Sequence, residues 1–178
     1  MLKKKRAQRG TPAEPDLCGD HARRNAKLPL VEELGFDDTE KSILEIVRHL
    51  SCGLAVPAYD GLARALECAN AEWGEQASSR IVESLANLLG RLQAARTGAF
   101  DFIVADCPTC SKHICESELQ LMLLLRAGRR KDGRNLREIA QLVAISGNPN
   151  SLVMAANVFA RIINAQDADS QPEMPTLH

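Results

Sequence analysis

Apolar residues recur at helical spacing along most of the chain. Asp37-Asp38-Thr39 sets acids where a helix begins, and Ile43, Val47, Leu50 and Leu54 then share one face, flanked by Leu44 and Ile46. Pro57 ends this helix. A second is predicted from Ala58 to Trp73 through Leu62, Leu66 and Ala69. A third runs from Ala77-Ser78 to Arg96 through Ile81, Leu85, Leu88, Leu89 and Leu92. Thr97-Gly98 breaks the period, and Phe100, Phe102, Ile103 and Val104 form a short run that suits a strand or a buried extended segment. From Lys112 a fourth helix carries Leu119, Met122, Leu123 and Leu125 and ends before Gly128. Asn135 with Glu138 reads as a capping box for a fifth, bearing Leu136, Ile139, Ala140 and Val143. Gly147-Asn148-Pro149-Asn150 stops it, and Ser151 opens a sixth with Leu152, Ala156, Phe159 and Ile163 on one face. The fold class predicted is all-α: about six helices in one bundle-like domain, with at most one short strand before the Cys107–Cys110 turn.

The domain is expected over residues 37–166. Residues 1–36 read as a flexible basic N-terminal tail, holding Lys3, Lys4, Lys5, Arg6, Arg9, Arg23, Arg24 and Lys27 and few large apolar residues before Leu28. Residues 167–178 read as a disordered C-terminal tail. Neither segment offers enough apolar surface to offset the entropy of ordering it. The net charge of −1 excludes whole-molecule attraction to nucleic acid or acidic lipid, so such binding requires a local patch. Aromatics at 3% leave little for stacking on single-stranded bases. No apolar run approaches the about 20 residues of a membrane span, so no membrane partner is expected. The basic start lacks the apolar stretch of a secretory signal. The expected compartment is the cytoplasm, where reduced thiols favour metal binding or redox use over structural disulfides.

Chemistry is concentrated at Cys107-Pro108-Thr109-Cys110-Ser111-Lys112-His113-Ile114-Cys115. A C-x-x-C turn brings two thiolates to one side, and Pro108 restricts that turn before binding. Ser111 is placed to cap the following helix, so that His113 and Cys115 would occupy its first turn. The metal site expected is Cys107, Cys110, Cys115 and His113, with Cys68 and Cys52 as alternative fourth ligands. Zinc suits the Cys₃His set; an iron–sulfur cluster is the alternative if the set is Cys₄.

Phe102-Ile103-Val104-Ala105-Asp106 followed by the C-P-T-C turn and an apolar helix resembles, over some 25 residues, the strand, turn and helix of glutaredoxin-like proteins. The resemblance implies a thiol–disulfide oxidoreductase using Cys107 and Cys110. The alternating strands and helices of that fold are missing from the rest of the chain. A second cluster, Arg126, Arg129, Arg130, Lys131, Arg134 and Arg137, is the candidate for binding nucleic-acid phosphates. Its plainer role is that of cations near a helix C-terminus. Leu136 to Ser146 resembles the first helix and turn of helix-turn-helix regulators. The helix after it carries Arg161 as its one charge from Ser151 to Ala165 and suits burial, not base reading. No catalytic triad, glycine-rich phosphate loop or H-E-x-x-H motif occurs, and His49 is explained by a helix terminus or by exposure.

The function expected is that of a zinc-binding regulatory or adaptor protein, not an enzyme, acting through a protein or nucleic-acid partner. The alternatives are a metal-free helical interaction module and the thiol oxidoreductase. The apolar last helix either packs internally or forms a homodimer.

Overall fold

In the computed structural model, the described residues are 25, 27–145 and 147–169. They form six helices: α1 (Asp38–Ala55), α2 (Gly61–Trp73), α3 (Glu75–Ala94), α4 (Glu116–Arg129), α5 (Gly133–Val143) and α6 (Pro149–Asp169). Short 3-10 turns lie at Val31–Leu34 and Cys110–Lys112. The first three helices pack consecutively, as do the last three. α3 against α6, and α1 against α4, join the two groups. Residues 95–115 cross from one group to the other with no regular structure beyond the Cys110–Lys112 turn.

Carboxylate caps start three of the helices. Asp37 and Glu40 form a reciprocal capping box, with Glu40 N–H donating to Asp37 at 2.7 Å and Asp37 N–H to Glu40 at 3.1 Å. Asp60 receives the Ala63 N–H at 3.2 Å. Asp132, not Asn135, caps α5: it receives the Asn135 N–H at 3.1 Å. Glu138 pairs with Arg134 at 3.0 Å instead of closing a capping box. α2 and α3 are separated by Gly74 alone, whose φ of 78° suits glycine and lets α3 begin at Glu75.

The core is one continuous apolar cluster. Its fully enclosed members include Ile43 and Ile46 of α1, Ile81, Leu85, Leu88 and Leu92 of α3, Leu121, Met122, Leu124 and Leu125 of α4, and Phe159 of α6. Each such side chain contributes about 1.5–3 kcal/mol by leaving water. α2 takes part through small residues, Ala65 and Ala69. Leu62 is 58% exposed and Leu54 64% exposed, although both lie on the faces predicted to turn inward. The reason is a backbone contact. Gly53 and Gly61 meet so closely that α1 and α2 pack on glycine, and a Cβ built on Gly61 would lie 2.8 Å from Gly53 Cα and collide with the His49 carbonyl.

Among the described residues there is no strand. Phe100 and Ile103 are buried in extended chain, and the only bridge joins Leu30 to His113. Of the predicted N-terminal tail, residues 1–24 and 26 lie outside the described residues; Val31 and Phe36 are buried in the core. At the other end α6 continues to Asp169, and residues 170–178 lie outside the described residues.

Gly61→Ala is expected to destabilise the fold by about 3 kcal/mol, the upper end for overpacking, because backbone must move. Gly90→Ala, which meets open space in mid-helix, should stabilise it by about 0.5–1 kcal/mol. Urea unfolding of the two variants checks the pair; equal effects would contradict the glycine contact.

Candidate functional site

The C-P-T-C turn sits in the crossover. Cys107 and Cys110 are buried with Ile103 in a small apolar cluster of their own, against which Leu28, Val104 and Cys115 pack. The turn is closed by its own backbone: Ser111 N–H donates to the Cys107 carbonyl at 2.9 Å, and His113 N–H to the Cys110 carbonyl at 2.9 Å. The Cys110 N–H points at Cys107 Sγ, 3.3 Å away. An N–H aimed at sulfur favours the thiolate, the form that binds metal.

A buried ion pair holds this segment. Arg48 of α1 donates to Glu118 of α4 through Nε at 2.8 Å and Nη2 at 3.1 Å. Glu118 is fully buried and also receives the Ile103 N–H at 3.0 Å and the Cys115 N–H at 3.1 Å. Arg48 completes the lattice through Nη1 to the Ser111 carbonyl at 2.8 Å and Nη2 to the His113 carbonyl. Four backbone groups of the crossover are therefore satisfied by two side chains. This explains why the apolar run at 100–104 makes no strand: its Ile103 N–H is taken by a carboxylate. Arg64 of α2 adds an exposed pair to Asp106 at 3.0 Å.

Of the expected local ligands, Cys115 packs against the turn and His113 lies between the turn and the next helix. α4 begins at Glu116, so Cys115 is its N-cap and His113 precedes it, and Ser111 caps no helix. Cys115 Sγ donates to the Asp101 carbonyl at 3.2 Å. Burial, reinforced by Glu118, pushes its thiol up to about 12. His113 Nδ1 lies 3.1 Å from the Leu28 carbonyl; a carbonyl only accepts, so Nδ1 carries the proton. Cys52 is buried beside Ala105, and its thiol is raised by burial.

Cys68 belongs to a different group. Among the described residues, only Glu45, His49 and Cys68 bring three ligand-type atoms within 4.8 Å of one another. His49 is 5% exposed, contrary to the reading of an exposed helix-end histidine. Its Nδ1 bonds the Tyr59 hydroxyl, and its Nε2 lies 3.9 Å from Glu45. The hydrogen bond from His49 is the main cause that lowers Glu45, while burial and then Glu45 push the Cys68 thiol up to about 11. The group is a closed polar network tying α1 to α2. Its sequence signal was the i, i+4 spacing of Glu45 and His49; Cys68 joins only through packing.

The basic cluster is divided by the fold. Arg126 grips Glu40 at 2.8 and 2.6 Å and lies over the Phe36 ring, 4.6 Å from its centroid. Arg129 pairs with Asp37 at 3.1 Å and Asp167 at 3.2 Å. Arg130, Lys131, Arg134 and Arg137 are exposed. Among the described residues, no helix is long and apolar enough to cross a membrane. No protein-family model matches the chain, and no match was found among curated proteins or solved structures.

Glu118→Gln and Arg48→Met are each expected to cost about 3–5 kcal/mol in urea unfolding, with the double variant costing less than the sum. A loss below about 1 kcal/mol, the range of exposed pairs, would contradict the strap. The thiols give a pH dependence. In the metal-free fold Cys68 and Cys115 keep protons that the unfolded chain releases near its ordinary value of 9.0. Their stabilisation is complete below pH 9 and is lost as pH rises through 11 and 12. Cys115→Ala should flatten that alkaline decline in urea midpoint; an unchanged slope would assign it elsewhere.

Proposed function

We propose that the protein is a zinc-binding helical adaptor in which the metal at the Cys107–Cys110 turn locks the crossover between the two helix groups. One observation carries the reading: the two sulfurs share a buried turn whose backbone N–H is already aimed at Cys107 Sγ. Such a turn is formed before metal arrives, so little ordering entropy remains to oppose binding. Zinc is favoured over an iron–sulfur cluster because the other thiols among the described residues, Cys52, Cys68 and Cys115, are held protonated by burial or bonded elsewhere. A Cys₄ set is thereby disfavoured. Thiol–disulfide exchange is less well supported, since Cys107 and Cys110 are both buried and a reactive thiol must be reached by its substrate.

The partner we propose is a protein. An apolar groove of about 360 Å³ is lined by Leu50, Leu54, Leu62 and Leu89, with Asp60 its one charged residue. It joins a second hollow through Leu54, Leu89 and Gln93. A nearly uncharged apolar groove suits an apolar peptide face and not a phosphate backbone. Arg126 and Arg129, committed to acidic partners within the fold, weaken the nucleic-acid reading further.

Protein purified without air or chelator is expected to carry close to one zinc per chain and no visible iron–sulfur absorption. With free zinc held about 1,000-fold above its Kd, the metal should add about 4 kcal/mol of stability. The Cys107→Ser/Cys110→Ser variant should lose both the zinc and that increment. Zinc-free wild-type protein with an unchanged melt would contradict the reading.

A further inference from the structure

We propose that Glu45, His49 and Cys68 form a second metal site, which binds one zinc-class divalent ion between α1 and α2 and leaves its fourth position to water. The inference stands apart from the reading of the C-P-T-C turn. Among the described residues, this is the one group of three whose ligand atoms lie within 4.8 Å of one another, and it offers nitrogen, sulfur and oxygen together. Zinc accepts that mixture, whereas calcium and magnesium take oxygen.

Helix geometry supplies two of the ligands. Glu45 and His49 stand one turn apart on α1, the i, i+4 spacing by which a helix aims two side chains at one ion. Cys68 comes from α2, which the Gly53–Gly61 contact holds close to α1. His49 Nε2 and the Glu45 carboxylate are already 3.9 Å apart. A tetrahedral ion with bonds of about 2.0–2.3 Å holds its ligand atoms roughly 3.3–3.8 Å apart, so closure asks for about 1 Å of side-chain movement.

The histidine is oriented as a ligand would be. Its Nδ1 bonds the Tyr59 hydroxyl. Burial, and then a hydrogen bond to Asp106, hold the Tyr59 phenol well above its ordinary range. Asp106 takes the bond from the phenol hydrogen, so the Tyr59 oxygen in turn accepts from His49, and Nδ1 carries the hydrogen. Nε2 is left to face Glu45. Metal-bound histidines are held in this way, an outer partner on one ring nitrogen fixing the other toward the ion. Arg64 completes the chain, paired with Asp106 at 3.0 Å and lying over the Tyr59 ring.

An ion can enter past Glu45, the exposed member of the group, which also lines a hollow of about 340 Å³. In the metal-free fold, burial and then Glu45 push the Cys68 thiol up to about 11. Coordination removes that proton, since a ligating thiol is ionised outright. One thiolate against the turn's two makes this the weaker site, so it fills after the turn, when metal is added.

The test titrates cobalt(II), a spectroscopic stand-in for zinc, into the metal-free full chain. The Cys107→Ser/Cys110→Ser variant should bind one cobalt and show a thiolate-to-cobalt charge-transfer band from a single sulfur. Adding Cys68→Ser should abolish the band and weaken binding by more than about 100-fold, beyond the cost of losing an outer partner. Tyr59→Phe, which keeps the ring, should weaken it by about 10–100-fold. Circular dichroism should show native helix content throughout. Absence of the band in the Cys107→Ser/Cys110→Ser variant, or cobalt affinity unchanged by Cys68→Ser and by Glu45→Gln, would overturn the proposal. The wild-type chain separates the two sites. Two cobalt ions, one of them lost with Cys68→Ser, support both. A single ion that survives Cys68→Ser overturns the second site and leaves the turn; a single ion lost with Cys68→Ser does the reverse.

Discussion

Arg48 and Glu118 meet in the interior between α1 and α4, and the crossover is arranged around them. A segment without regular structure must satisfy its backbone groups some other way, or their burial costs more than packing returns. Here the carboxylate takes the N–H groups of Ile103 and Cys115, and the guanidinium takes the carbonyls of Ser111 and His113. The pair is a poor source of net stability, since an apolar replacement of equal volume can do as well. Its contribution is specific: it fixes one path for the chain, and that path sets the C-P-T-C turn against Leu28. Removing either partner strands the other charge and several backbone groups at once.

Local order was largely legible along the chain. Asp37 and Glu40 carry their capping box in adjacent sequence, and the α3 leucines show their face by period alone. What failed was decided at a distance. Leu54 and Leu62 have the right spacing for burial, yet the Gly53–Gly61 contact sets the roll of α1 on α2 and turns both outward. The run at 100–104 has strand composition, but its hydrogen-bond partner is a glutamate on another helix. Asp132 displaced Asn135 as the cap because its carboxylate takes the Asn135 N–H, so that α5 begins at Gly133 and Asn135 lies inside it. Arg126 and Arg129 look available in sequence until Glu40 and Asp37 are brought beneath them.

The cysteines show the same division. Their clustering identified the C-P-T-C turn, and the fold then sorted them by surroundings. Burial, and then neighbouring carboxylates, hold the protons on Cys68 and Cys115, whereas Cys107 receives a backbone N–H. Proximity in sequence made Cys115 and His113 candidate ligands; in the fold, with α4 starting at Glu116, they bond the Asp101 and Leu28 carbonyls. Cys107 and Cys110 sit buried on one turn, in a crossover held by the Arg48–Glu118 strap.

Amide hydrogen exchange on metal-free protein tests that strap most directly. If the ion pair organises the crossover, the Ile103 and Cys115 amides exchange only with global unfolding, as slowly as the core of α4. Rapid exchange at those two amides, while α4 stays protected, would show that the crossover opens on its own and that Arg48 and Glu118 do not hold it.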